Sequence, residues 1–250
     1  MAESLALRAL APAVHRWALY FAPAADSPWA RAGARWLGRD ADGAAVEPPR
    51  HFVGCSPEEW SRLTAAPRRC GWHATLRAPM RLSSSCAAAG LLEALRTLAA
   101  GFPAFELPAL HAQWLDGFIA LQPQHSCPPL QALERACVSA LQPLAAPLLP
   151  AEPARYDSHG LSARQHAPLR AWGYPYVFED FRFHMTLAGR IDTLSPLQPA
   201  APLEHGAACF GGLPQPLRFD ALSLFVEPAV GAPLRRVARV PLTGMGHCAR

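Results

Sequence analysis

Two tetrapeptides of one form, His73-Ala74-Thr75-Leu76 and His184-Met185-Thr186-Leu187, stand in opposite halves of the chain, each inside a short apolar run that reads as a β-strand. Side chains alternate across a strand, so His and Thr share one face while Ala74 and Leu76, or Met185 and Leu187, take the other. Each motif therefore offers an imidazole and a hydroxyl to the same side. Imidazole, with an ordinary pKa of about 6.5, serves as acid or base near neutrality, and a hydroxyl donates to developing negative charge. Cleaving a cyclic phosphodiester needs a base for water, an acid for the departing alkoxide and donors for the phosphoryl oxygens, and two such pairs supply all of these. Ten His and six Thr in 250 residues yield only about a quarter of one His-x-Thr by chance, before the following Leu is required. Either motif alone reads as a strand histidine satisfied by a backbone carbonyl. Together they read as an acid–base site.

Other residues are candidates for binding substrate. By strand alternation Arg77 shares the face of His73 and Thr75, and Arg182 and Arg190 share that of His184 and Thr186, where each could meet a phosphate or simply face solvent. Tyr20, Tyr174 and Tyr176 could line the cleft, though aromatic strand residues more often fill a core. The other His are scattered without a His-x-His or His-Glu-x-x-His spacing, so no metal site and no cofactor is expected.

The elements that must position these groups follow from patterning. His15 to Pro23 alternates as a first strand, and Ser27-Pro28 opens a helix with Trp29, Gly33, Trp36 and Leu37 on one face up to Gly38. Ser56-Pro57-Glu58-Glu59 is a capping box for a helix expected to stop at Pro67. The motif strands are read over Trp72–Leu82 and Arg182–Arg190, further strands over Phe105–Trp114 and Gly117–Gln122, and helices over Cys86–Ala100, Pro128–Leu141 and Ser162–Trp172. Pro147–His159 reads as loop, Asp192–Pro216 as a long turn region, and Arg218–Glu227 with Leu234–Pro241 as a closing hairpin.

Composition narrows the class. With 51% hydrophobic residues the chain has ample core, while 27 Pro keep helices short and exclude a long coiled coil. A net charge of +4 suits an anionic substrate but lacks the basic stripe of a protein that tracks many phosphates. All 23 basic residues are Arg, so no phosphate-loop lysine, Schiff base or lysyl-nucleotidate intermediate is available. Seven irregularly spaced Cys indicate reduced thiols, and the first twenty residues lack a signal or membrane-span pattern, so a cytoplasmic protein without membrane contact is expected.

At these residues the chain resembles the two-histidine (2H) phosphoesterase superfamily, and more narrowly its phosphonate metabolism protein branch. That closer likeness rests on His15–Pro23 (HRWALYFAP), Trp36–Asp40 (WLGRD), Arg68–Pro79 (RRCGWHATLRAP) and Trp172–Leu187 (WGYPYVFEDFRFHMTL). The resemblance implies an α+β fold in one bilobal, pseudo-twofold domain over residues 1–250, its two β-sheet lobes facing a central cleft with helices outside. It implies metal-independent hydrolysis of a small cyclic phosphodiester, with a place in carbon–phosphorus lyase metabolism. Within it His184 is assigned as base, His73 as acid, and Thr75 and Thr186 as donors to the phosphoryl oxygens. The alternatives are an RNA 2′,3′-cyclic phosphodiesterase or end-processing enzyme, and a non-catalytic phosphate or nucleotide sensor. The expected partner is a small phosphorylated substrate; RNA is not favoured, and the oligomeric state is left open.

Overall fold

The computed structural model describes residues 14–48, 55–156, 160–189 and 200–245. Strand β1 (Arg16–Phe21) alternates as its sequence requires. Trp17, Leu19 and Phe21 enter the main core, while Ala18, Tyr20 and Ala22 join Phe225 and Leu234 in a small cluster on the other face. Helix α1 (Pro28–Leu37) starts where the Ala30 N–H donates to Ser27 Oγ at 3.1 Å and ends at Gly38, whose φ of 72° is left-handed.

Helix α2 (Pro57–Cys70) opens with the expected capping box but does not stop at Pro67. Proline there lacks the N–H that would bond Leu63 O, and that carbonyl instead accepts the Gly189 N–H at 2.7 Å. Then come β2 (Ala74–Met80), α3 (Ala88–Ala100), β3 (Phe105–Glu106), β4 (Leu110–Leu115), β5 (Phe118–Pro123) and α4 (Pro128–Leu141). The strand expected over Phe105–Trp114 is divided, because Pro108 has no N–H to give to a ladder. Asp116 and Gly117, at φ of 47° and 91°, make the tight turn between β4 and β5.

The remaining elements are α5 (Ala151–Ala154), α6 (Ala163–Trp172), β6 (Met185–Ala188), α7 (Ala200–Gly211), β7 (Arg218–Phe219), β8 (Ala221–Glu227) and β9 (Arg235–Pro241). α5 interrupts the loop read over Pro147–His159. α7 lies in the region read as turn: Pro202 falls in its first turn, where no main-chain N–H has an intrahelical partner to lose.

The two motif strands sit at the edges of two different antiparallel sheets, ordered β2-β1-β8-β9 and β4-β5-β6, with β3 and β7 forming a third, two-stranded sheet. This is an α+β architecture with two sheet-bearing lobes. One apolar cluster joins them, taking Phe21, Ala74 and Leu76 from the first and Ile119, Leu121, Met185 and Leu187 from the second. Trp36 of α1 donates its indole N–H to Leu187 O at 2.8 Å, and the Phe21 and Phe183 rings lie 5.8 Å apart, beside the two motifs. No helix among the described residues is long and apolar enough to cross a membrane.

Candidate active site

Both histidines stand one residue before their strands, so each motif strand is shorter than its apolar run implied. Within each motif the alternation holds: His73, Thr75, His184 and Thr186 are partly exposed, while Ala74, Leu76, Met185 and Leu187 are buried. The chain reaches His73 through Gly71, whose φ of 79° is a conformation that favours glycine. Three arginines fix this approach. Arg68 donates to Leu37 O at 2.7 Å, Arg69 pairs with Glu227, and Arg39 donates to the carbonyls of Arg68, Arg69 and Leu234.

The two imidazoles are held alike. His73 Nδ1 lies 2.8 Å from Gly71 O, and His184 Nδ1 lies 2.7 Å from Arg182 O, in each case the carbonyl two residues earlier. A carbonyl only accepts, so Nδ1 carries the proton and Nε2 is left with the lone pair. His73 Nε2 is 3.3 Å from Thr75 Oγ1. The Tyr20 ring lies 3.9 Å from the His73 ring, and Phe118 lies 5.5 Å from His184, so each imidazole has an aromatic neighbour from its own lobe.

Burial pushes the His73 pKa down to about 4; the bond to Gly71 O opposes this and His184 adds to it. His184 is lowered as well, by burial first and then by Arg182, with the Arg182 carbonyl and Asp116 opposing. His184 is thus among the groups that act on His73. Both are therefore neutral at pH 7 without a ligand, two bases ready for an anion that would restore a proton to one of them. Burial, reinforced by Cys70, Tyr174 and Tyr156, keeps the Tyr20 phenol well above its ordinary pKa, so it is a neutral hydroxyl.

Tyr20 and Tyr174 thus belong to one neighbourhood with Tyr156 and Tyr176, whose rings lie 6.1 and 5.4 Å from that of Tyr174. Arg182 is exposed and only loosely paired with Asp116, at 3.4 Å, and it is the Arg182 carbonyl that meets His184. Arg190 lies outside the described residues. Arg77 departs from its expected face. Thr75 is opposite Tyr20 but Arg77 is opposite Leu19, so the strand gains a residue at Leu76 and Arg77 turns with Leu19 toward the core side. Its guanidinium donates to Trp172 O and Gln142 Oε1 at 2.5 and 2.6 Å. Sequence reasoning offered a carbonyl partner for each histidine only as the alternative to catalysis and did not identify Gly71 and Arg182 as its source, and it missed Phe118 and Tyr156; the glycine two positions before His73 was the one available signal. Among the described residues no three His, Cys, Asp or Glu side chains gather as a metal would require.

A family model described as "Protein of unknown function (DUF1045)" matches residues 75–235. The chain is 38% identical over 248 residues to a protein of Janthinobacterium sp. (strain Marseille) named ribose 1,5-bisphosphate phosphokinase PhnN, covering 96% of this chain and 54% of that one. It is 42% identical over 221 residues to a protein of Laribacter hongkongensis (strain HLHK9) with the same name, covering 88% and 50%. The chain spans about half the length of these curated relatives. Among solved structures it is similar to one titled only as a phosphoesterase, at 17% identity and a TM-score of 0.46 over 92% of this chain and 99% of that one. It is also similar to E. coli LigT complexed with 3′-AMP, at 16% identity and a TM-score of 0.41 over 91% and 98%.

Proposed function

The chain belongs to the DUF1045 family, and from that premise we propose that it is a phosphoesterase which hydrolyses a small cyclic phosphodiester by acid–base catalysis between His73 and His184. The observation that carries this reading is the matched pair of imidazoles, each with Nδ1 bonded to the carbonyl two residues earlier, which leaves the Nε2 lone pair for proton transfer. A binding module would not need two proton-transfer groups in the same tautomer.

In the reaction, His184 Nε2 takes a proton from water as the water oxygen attacks phosphorus. The bond from phosphorus to the ring oxygen breaks, and protonated His73 gives its Nε2 proton to the departing alkoxide. Thr75 and Thr186 donate to the non-bridging oxygens and hold phosphorus between the imidazoles for in-line attack. Each positioned acid or base is worth roughly 10²- to 10⁴-fold. The assignment of acid and base follows the 2H resemblance, and the protonation states exchange in each turnover. Tyr20 backs the His73 ring, and Tyr174, Arg182 and Arg190 are the groups this reading assigns to the rest of the substrate.

The relatives' name specifies a phosphorylated ribose, which supports a sugar phosphate and a place in phosphonate metabolism. The kinase in that name is not carried over: the chain has no Lys, hence no phosphate-loop lysine, and matches only half of those proteins. The test is a panel of cyclic ribosyl phosphates and nucleoside 2′,3′-cyclic phosphates, with and without EDTA. Turnover that survives chelation and falls at least about 10²-fold in His73→Asn and in His184→Asn is expected. Loss of turnover with EDTA and its return with Zn²⁺ or Mn²⁺ would overturn the mechanism.

A further inference from the structure

Along the free edge of β2, beyond Thr75, lies a cavity of about 420 Å³ between that strand, the segment after α4 and the C-terminal end of α6. Its wall carries Arg77, Arg81, Arg155 and Arg170 and a single carboxylate, Glu152. Glu152 is already engaged, by Arg81 at 3.1 Å and by the Leu149 N–H at 2.7 Å. Three guanidinium groups thus remain in excess.

Arg77 is the informative one. It is only 3% exposed, yet it bonds neutral oxygens of Trp172 and Gln142, and its Nε has no partner. Among the described residues no carboxylate forms an ion pair with it. The acidic group that acts on it electrostatically, Glu134, is itself buried, and its carboxyl pKa is pushed up to about 7, so it is only half charged at neutrality. Burial lowers the Arg77 pKa to about 10, which still leaves it a cation. A buried cation without a counterion is costly, and the acceptors that hold it here fix its position without cancelling its charge. Arg155 and Arg170 are exposed at the rim, and β2 has no strand neighbour on this side.

We propose that this cavity binds a phosphate monoester, with Arg77 as the fixed inner charge and Arg155 and Arg170 closing on the outer oxygens. Guanidinium forks match phosphate geometry, which suits this ligand better than a monovalent halide. The bulge at Leu76 turns Arg77 off the face of His73 and Thr75, so a ligand that joins the two must pass around the free edge of β2, where the cavity lies. Resting on the hydrolase reading above, the monoester is a second phosphate on the cyclic substrate, so that one phosphate is bound while the other is cleaved.

The test separates this site from the reaction. Binding of a non-cyclic sugar monophosphate is measured by calorimetry for the wild type, His73→Asn, Arg77→Met and the rim variant Arg155→Ala/Arg170→Ala, each checked for folding by circular dichroism. Binding kept in His73→Asn and weakened at least about tenfold in the rim variant is expected; because the rim arginines are exposed, that result does not depend on Arg77→Met folding. Binding lost in His73→Asn and kept in the rim variant would put the monoester in the histidine cleft and overturn the proposal. Turnover of matched cyclic diesters with and without a second phosphate then identifies the source. A lower KM for the doubly phosphorylated compound, with the preference collapsing in the rim variant, supports the substrate's own phosphate. Equal KM values, with free phosphate changing the rate without competing, would make the site regulatory and overturn its assignment to substrate.

Discussion

Binding of a phosphodiester should draw a proton out of solution. With its pKa held at about 4, His73 is protonated in roughly one molecule in a thousand at pH 7. As the proposed acid it must nevertheless carry a proton before the leaving group departs. Its neighbours do not provide the charge to keep one there: they are the Gly71 carbonyl, the Thr75 hydroxyl, the neutral Tyr20 ring and the imidazole of His184. A phosphodiester anion at about 4 Å contributes about 4 kcal/mol at an effective dielectric of 20. At about 1.4 kcal/mol per unit this is about three pKa units, which brings His73 to about 7. Binding should then take up about half a proton at pH 7 and nearly a whole one at pH 6. Dimethyl phosphate, a stable diester that does not titrate in this range, is the probe. Titration calorimetry in buffers of different ionisation enthalpy gives the number of protons as the slope of apparent binding enthalpy. A slope of zero, or the same slope in His73→Asn, would show that substrate charge does not load the acid.

Two further outcomes follow from the packing and the titration. In Gly33→Ala the new Cβ would lie 2.1 Å from Trp72 Cγ, so Trp72 must move, at a cost of about 1–3 kcal/mol. Because Trp72 precedes His73, turnover should fall along with the denaturation midpoint, and an unchanged midpoint would refute the close approach. Both histidines have folded pKa values below the ordinary 6.5, so between pH 6.5 and about 4 the unfolded chain binds protons that the folded chain refuses. Their contribution to stability is present above pH 6.5 and is lost as pH falls through that window. Urea midpoints should drop there, and less steeply in His73→Gln/His184→Gln; identical slopes would count against the buried neutral imidazoles.

What the sequence revealed was governed by local rules. The His/Thr faces follow from strand alternation, and the ends of α1 and the start of α2 follow from Ser27, Gly38, Ser56 and Glu59, whose capping is decided within a turn. Arg77 was placed on the wrong face because a bulge depends on the partner strand, and nothing within ATLRAPM announces that Leu76 is the extra residue. α7 was hidden by the prolines of this segment, which in composition resemble a loop, although Pro202 is accommodated in the first turn of the helix. α2 was cut short at Pro67 for the converse reason. The lost helical bond is offset by a residue more than a hundred positions away, beyond the reach of any local pattern. The anchors at Gly71 and Arg182 are main-chain atoms, which side-chain identity does not reveal.

The bond from Gly189 to the Leu63 carbonyl bears on what this cleft can select. Leu63 lies in the helix that leads to His73, and Gly189 follows directly on the strand that begins after His184, so one peptide contact clasps the two motif supports together. Many two-lobed proteins choose ligands by closing about a hinge. Here the proline at position 67 has exchanged a bond within the helix for one across the lobes. On the proposed mechanism, this clasp ties the supports of His73 and His184 to each other before any ligand arrives.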